Sequence, residues 1–280
     1  MSLNLMYYFQ FVGVFILLTW ALYIPFRGGL LYNGCVYCMA IGGYFAAFTM
    51  RDLGWPFGLA LIGAMGLGGL LGFLPAIGFI RTKGIATAIG SIALIFIIQS
   101  ILRNVGFLGG TRGFHGIPQV EQLLLITYGI ILLIGFFIYR LDHSRLGRTI
   151  EAMSVYPERA GTMGINTRKI GILLLSISSV IGALAGVIYA VAVRTIYPST
   201  FNFSLLLYIW TMLFIGGRYT MWGTLIAAPI LWGLPSWVPS EVAEYTKIVY
   251  GAILVIVITM RPEGVISRRL LQRIGAVVKF

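Results

Sequence analysis

Few residues in this chain carry groups that do chemistry, and most of them stand alone. Cys35 and Cys38 are three apart inside an apolar segment, a CxxC spacing that suits a redox couple or half of a thiolate metal site. No second CxxC exists and neither histidine, His115 nor His143, is near in sequence, so the pair reads as small buried side chains. His115 has no carboxylate or second histidine beside it and reads as a solvated loop residue rather than a metal ligand. The sequence holds no HExxH pair, no nucleophile next to a base, no carboxylate cluster and no GxxxxGK[ST] phosphate loop. Catalysis, a metal centre, a bound cofactor and nucleotide hydrolysis by this chain are not expected.

The stretch with most polar groups is Arg140–Lys169, RLDHSRLGRTIEAMSVYPERAGTMGINTRK, which carries six of the twenty Lys and Arg, three of the eight Asp and Glu, and His143. So many charges cannot lie in hydrocarbon, so the interval must sit in water. Pro157 can open a helix at its first turn and Gly164 can close one, while Ala160 and Met163 supply an apolar edge. A short helix flat against a membrane face is a docking surface for a soluble partner.

The rest of the 280 residues explains the membrane. Charged residues make up only 10% of the chain and the mean hydropathy is +0.95, too little polar surface to cover a chain of this size in water. The net charge of +12 resides in the gaps between apolar runs rather than on one soluble face, so lipid and not nucleic acid is the expected surrounding. The first apolar run lacks a basic leader and a small-residue cleavage site and reads as a span, not a signal peptide.

Apolar segments fall at about 6–26, 32–50, 56–80, 84–102, 122–139, 170–193, 203–216, 221–236 and 246–260, giving nine candidate crossings by length. With Arg140–Lys169 in the cytoplasm, alternation leaves fifteen Lys and Arg inside and five outside, namely Arg51, Arg103, Arg112, Arg194 and Lys247. That is the bias of positive-inside sorting, and it puts the N-terminus outside and the C-terminus inside. Three crossings are poor straight helices: 32–50 holds Asn33, Gly34, Gly42 and Gly43, and the short segments 203–216 and 221–236 are separated by GGRYTMWG and interrupted by Pro229 and Pro235. Paired broken segments of this kind surround the pathway in many transporters, although glycines also serve close helix packing.

No Asp, Glu, Lys or Arg is near the middle of a crossing, which disfavours an ion-coupled carrier. Thr87, Ser91, Gln99 and Asn202 are the candidate polar groups of a pathway wall, each equally able to bond a neighbouring helix. If the chain pumps, its energy comes from a partner.

The hairpin motifs resemble the inner-membrane permease subunits of bacterial ABC importers for branched-chain amino acids and for related amides and acids such as urea. The similar string is Gly147-Arg148, Glu151-Ala152, Pro157, Ala160 and Gly164-Ile165-Asn166, followed by Ala183, Ala185-Gly186 and Tyr189-Ala190. Further matches follow in order: Gly42 to Tyr44, Gly109-Gly110-Thr111, Gly116-Ile117-Pro118, Pro198, Phe201, Gly216-Gly217, Gly223-Thr224, Pro229 and Arg261-Pro262-Glu263-Gly264. They cover most of the chain from about 40 to 265. The stretch 84–101 is more similar to one of the family's two permease types and the RPEG tail to the other. The resemblance implies an all-α polytopic bundle, one transmembrane permease domain over 1–280 with a cytoplasmic coupling loop at 140–169, in a bacterial inner membrane. It also implies a second permease, identical or paralogous, cytoplasmic ATPases that use the ATP, and a periplasmic binding protein. The coupling residues would be Val155, Tyr156, Pro157, Glu158, Arg159, Ala160, Gly161, Met163 and Gly164. A secondary transporter or channel is the alternative, and a noncatalytic scaffold a third.

Overall fold

In hydrocarbon, a backbone that must satisfy its own polar groups crosses as helix, and the apolar intervals take that form. The computed structural model describes residues 3–80, 82, 84–155, 157–217 and 220–237, with Val255 and Thr259. Among these residues the helices are α1 (Leu3–Arg27), α2 (Cys35–Arg51), α3 (Phe57–Phe79), α4 (Ile85–Asn104), α5 (Leu123–His143), α6 (Arg145–Val155), α7 (Pro157–Thr162), α8 (Thr167–Val193), α9 (Phe203–Gly216) and α10 (Trp222–Trp237). Six helical segments are long and apolar enough to span a bilayer, with the turn at Pro198–Thr200 extending α9, and α2 and α10 are shorter. The ninth expected crossing, 246–260, lies outside the described residues apart from Val255 and Thr259.

Helix α8 runs through the centre, packed chiefly on α2, α3 and α1. Lipid tails are as apolar as leucine, so helices in a membrane associate by close fit rather than by escape from water. Here the fit reaches backbone distance. Gly42 backs onto the Ala183 carbonyl and Gly186 onto the Met39 carbonyl, and a Cβ on Gly182 would lie 2.6 Å from the Cys35 carbonyl oxygen. Helix α3 offers a stripe of small buried residues four apart, Ala60, Ala64, Gly68, Gly72 and Ala76. A Cβ on Gly68 would stand 2.5 Å from that of Ala183. Cys35 and Cys38 are free, buried thiols within this packing. Helices α3, α4 and α5 turn the rest of their surface outward: only 22%, 22% and 28% of their windows are buried, against 83% in α1.

The connections gather at two ends. At one, Arg27–Asn33, Ile80, Thr82 and the described residues of the hairpin lie together, with the Ile80 and Leu30 side chains meeting at Gly171. At the other, a two-residue antiparallel ladder sets β1 (Phe114–His115) against β2 (Thr195–Ile196), with Phe114 opposite Ile196. Arg51 locks this end, its Nη1 donating to the His115 carbonyl at 3.0 Å and its guanidinium lying 3.8 Å from the Phe114 ring centroid. The exposed His115 pins the turn: its Nε2 lies 2.8 Å from the Arg112 carbonyl oxygen and its Nδ1 3.4 Å from Thr195 Oγ1.

Gly186→Leu, which drives a side chain into the Met39 carbonyl, should cost ~1–3 kcal/mol or more through overpacking. Gly129→Ala, with nothing within 4 Å, should leave stability unchanged. Thermal melting of the detergent-solubilised protein measures both.

Candidate functional site

The polar hairpin is built from local signals. Ser144 starts it, donating to the Leu141 carbonyl at 2.7 Å and accepting from the Gly147 amide at 3.1 Å. The corner is so tight that a Cβ on Gly147 would lie 2.5 Å from the Asp142 carbonyl oxygen. Helix α6 then turns Gly147, Ile150 and Met153 inward at three-residue spacing and leaves Arg145, Leu146, Arg148 and Ala152 outward. Pro157 opens α7, fitting a first-turn position where its missing N–H is no loss. At the far end Gly164 takes φ +80°, its amide donating to the Gly161 carbonyl at 3.2 Å while the Ile165 amide reaches the Ala160 carbonyl at 3.1 Å. These paired bonds form a Schellman closure, whose left-handed position favours glycine. Asn166 caps α8 at once, its Oδ1 accepting from the Lys169 amide at 3.0 Å.

Of the expected coupling residues, Gly161, Met163 and Gly164 are exposed, Met163 by 80%. Ala160 is buried at 3%, so Ala160 and Met163 do not share one edge: the first anchors α7 inward and the second points away from the protein. Val155 ends α6, and Glu158 and Arg159 lie within α7. Tyr156 lies outside the described residues, as do the side chains of Val155, Pro157, Glu158 and Arg159.

Three of the four candidate pathway residues share one stripe, and the fourth lies in a turn beside its end. Thr87, Ser91 and Gln99 fall on the buried stripe of α4. Thr87 lies 2.9 Å from Thr82 Oγ1 in the α3–α4 turn, Ser91 Oγ accepts from the Asn33 amide at 3.1 Å, and Gln99 Nε2 donates to the Pro198 carbonyl at 3.1 Å. Asn202 belongs to the same turn as Pro198, donating to the Ser199 carbonyl at 2.8 Å while its Oδ1 caps α9 through the Leu205 amide at 3.0 Å. Each of these side chains bonds to other residues of the chain.

Two constellations escaped sequence reasoning. Asn33, buried at 1%, precedes α2 in non-helical backbone and accepts from Trp210 Nε1 of α9 at 2.9 Å as its own amide bonds Ser91. Beside it, Tyr32 Oη lies 2.7 Å from Tyr37 Oη and 3.2 Å from Ser179 Oγ. Tyr37 donates to the Leu71 carbonyl, so Tyr32 donates to Tyr37 and accepts from Ser179, whose hydroxyl also faces the Leu175 carbonyl at 2.9 Å. The only hint in the sequence was a lone asparagine in an apolar run. The second constellation is a partly buried ion pair between Arg27 and Asp142, with side chains 11% and 14% exposed. Arg27 Nη1 donates to Tyr23 Oη at 3.1 Å, and Tyr23 donates to Asp142 Oδ2 at 3.1 Å. An arginine four residues after a tyrosine, and an aspartate among basic residues, were the available signals.

Comparison with known proteins decides the family. The family described as branched-chain amino acid transport system, permease component, matches residues 4–258. The chain belongs to it. As a member it is a membrane-embedded permease component and not an enzyme. It is 23% identical over 268 residues to the high-affinity branched-chain amino acid transport system permease protein LivM of Escherichia coli, covering 81% of this chain and 63% of that relative. With LivH of the same organism it shares 27% over 181 residues, 63% of this chain and 57% of LivH. A probable LivM from Methanocaldococcus jannaschii is 23% identical over 274 residues, 86% of this chain and 77% of the relative. The permease chain thus spans under two thirds of the length of Escherichia coli LivM. No solved structure matches it.

Asn33→Ala would leave the partly buried Trp210 donor without its acceptor and should cost ~1 kcal/mol. Asn104→Ala, which removes only an exposed bond to the Ser100 carbonyl, should cost far less. Melting midpoints of the two variants, taken side by side, test the difference.

Proposed function

We propose that this chain is the permease subunit of an ATP-driven importer, forming half of a translocation pathway for a small amino acid or amide-like solute delivered by a periplasmic binding protein. The 140–169 hairpin is its cytoplasmic coupling element, and α7 with the corner at Gly161–Gly164 is the surface that a separate ATPase grips. A second permease, identical or homologous, supplies the other half of the path. The supporting observation is the hairpin's construction: a short helix closed by a Schellman turn, with Met163 80% exposed at its tip, passes through one cap residue into the central helix α8. Such a rigid link carries a push at the tip into the helix core as a rigid-body displacement.

Orientation follows the charge bias, fifteen basic residues on the hairpin's side and five on the other. The names of LivM and LivH support branched-chain amino acids as the solute class. Thr87, Ser91, Gln99 and Asn202 are proposed as wall groups, exposing their hydrogen-bonding atoms when the turns they hold shift.

Gly164→Val forces a β-branched residue into left-handed backbone at ~1–2 kcal/mol, and no side chain within 4 Å is disturbed. Co-purification of the ATPase from gently solubilised membranes should fall sharply while the melting midpoint of the spans holds. Gly129→Ala, in open space on α5, should retain the ATPase. Wild-type recovery of ATPase with Gly164→Val contradicts the docking assignment, and uptake by the purified chain driven by a proton or sodium gradient selects a secondary transporter instead.

A further inference from the structure

The partly buried Tyr23–Arg27–Asp142 cluster stands where the hairpin meets the core. Helix α1 ends there in its own Schellman closure, the Leu30 and Gly29 amides donating to the Pro25 and Phe26 carbonyls at 3.0 Å each, with Gly29 at φ +74°. Three successive residues of this end touch all three helices that frame the hairpin. Arg27 pairs with Asp142 at the end of α5. A Cβ on Gly28 would stand 2.5 Å from Leu174 Cδ1 of α8 and 3.2 Å from Met153 Cε of α6, and one on Gly29 would stand 3.2 Å from the Ser154 backbone of α6. The Glu151 carboxylate of α6 lies within electrostatic reach of the same guanidinium.

A joint that only had to be stable could be apolar, since burying two charges recovers little once desolvation is counted, whereas removing one partner strands the other. An ion pair set at the junction of the helices that frame the hairpin points to a task beyond stability. The placement says which: α1 is largely buried and packs along α8, α9 and α10, so whatever holds its end to the hairpin also carries hairpin motion to those helices. We propose that Tyr23, Arg27 and Asp142 are positioning residues for energy coupling. They form a clasp that makes α1 move with the coupling hairpin, so that ATPase-driven displacement reaches the α9–α10 side of the bundle as well as α8. The inference rests on the proposed importer function.

The test uses the complete transporter in proteoliposomes, with ATP hydrolysis and solute uptake measured on the same sample. Asp142→Asn should keep the ATPase bound and hydrolysis close to wild type, while solute moved per ATP falls roughly tenfold, an ordinary size for a coupling free energy. Asp142→Glu should restore most of that ratio, and Tyr23→Phe, losing one hydroxyl, should lower it by a smaller factor with an unchanged melting midpoint. A wild-type uptake-to-hydrolysis ratio in Asp142→Asn and Tyr23→Phe overturns the clasp, as does a proportional fall of both activities that Asp142→Glu fails to rescue. Failure of the wild-type chain to bind an ATPase at all is a separate result, which overturns the proposed function itself.

Discussion

The contact between the backbones of α2 and α8 is the constraint on which the rest of the permease depends. Gly42, Gly182 and Gly186 bring main-chain atoms of the two helices together where any side chain would collide. Such an interface has few intermediate positions: helices that touch through backbone slide or separate as units, because no flexible side chain lies between them to absorb a shift. Helix α3 extends the arrangement with its small-residue stripe against the other flank of α8. The result is a stiff centre of α2, α3 and α8, with α4 and α5 exposing most of their apolar surface around it.

A stiff centre matters because the polar hairpin is attached to it without slack. Ile165 belongs to the turn that closes α7, and Asn166 already caps α8. The non-helical residues before α2 lie at the same end, where Asn33 ties α4 to α9 and Tyr32 ties α2 to α8. Non-helical backbone at membrane depth persists only where protein or an aqueous cavity satisfies it, and here protein does. These bonds are what a displaced α8 would have to break or exchange. The geometry therefore joins an exposed tip, a rigid shaft and a set of breakable polar ties in one continuous chain of contacts.

Much of this was legible in the sequence because it is local. The eight apolar intervals among the described residues became helices within a few residues of their expected ends, since continuous hydrophobicity sets helix length in a membrane. Pro157 and Gly164 marked the limits of the hairpin helix because a missing N–H and a left-handed backbone position each favour one residue type. What stayed hidden depends on partners distant in the chain. Arg27 and Asp142 read as loop charges until α1 and α5 brought them together, and Ala160 and Met163 read as one edge until the turn sent them opposite ways. Asn33 looked like a blemish in a span, and its role appears only once Ser91 and Trp210 are beside it. Glycines told that helices come close, but not which helices.

The central claim is that the hairpin faces the cytosol and is gripped there at its tip. Cys35 and Cys38 are both fully buried, so a single cysteine introduced by Met163→Cys reports alone when membrane-impermeant maleimide is added to vesicles of known sidedness. The account predicts labelling only from the cytoplasmic face, and loss of labelling when the ATPase is bound. Labelling from the periplasmic face would contradict it.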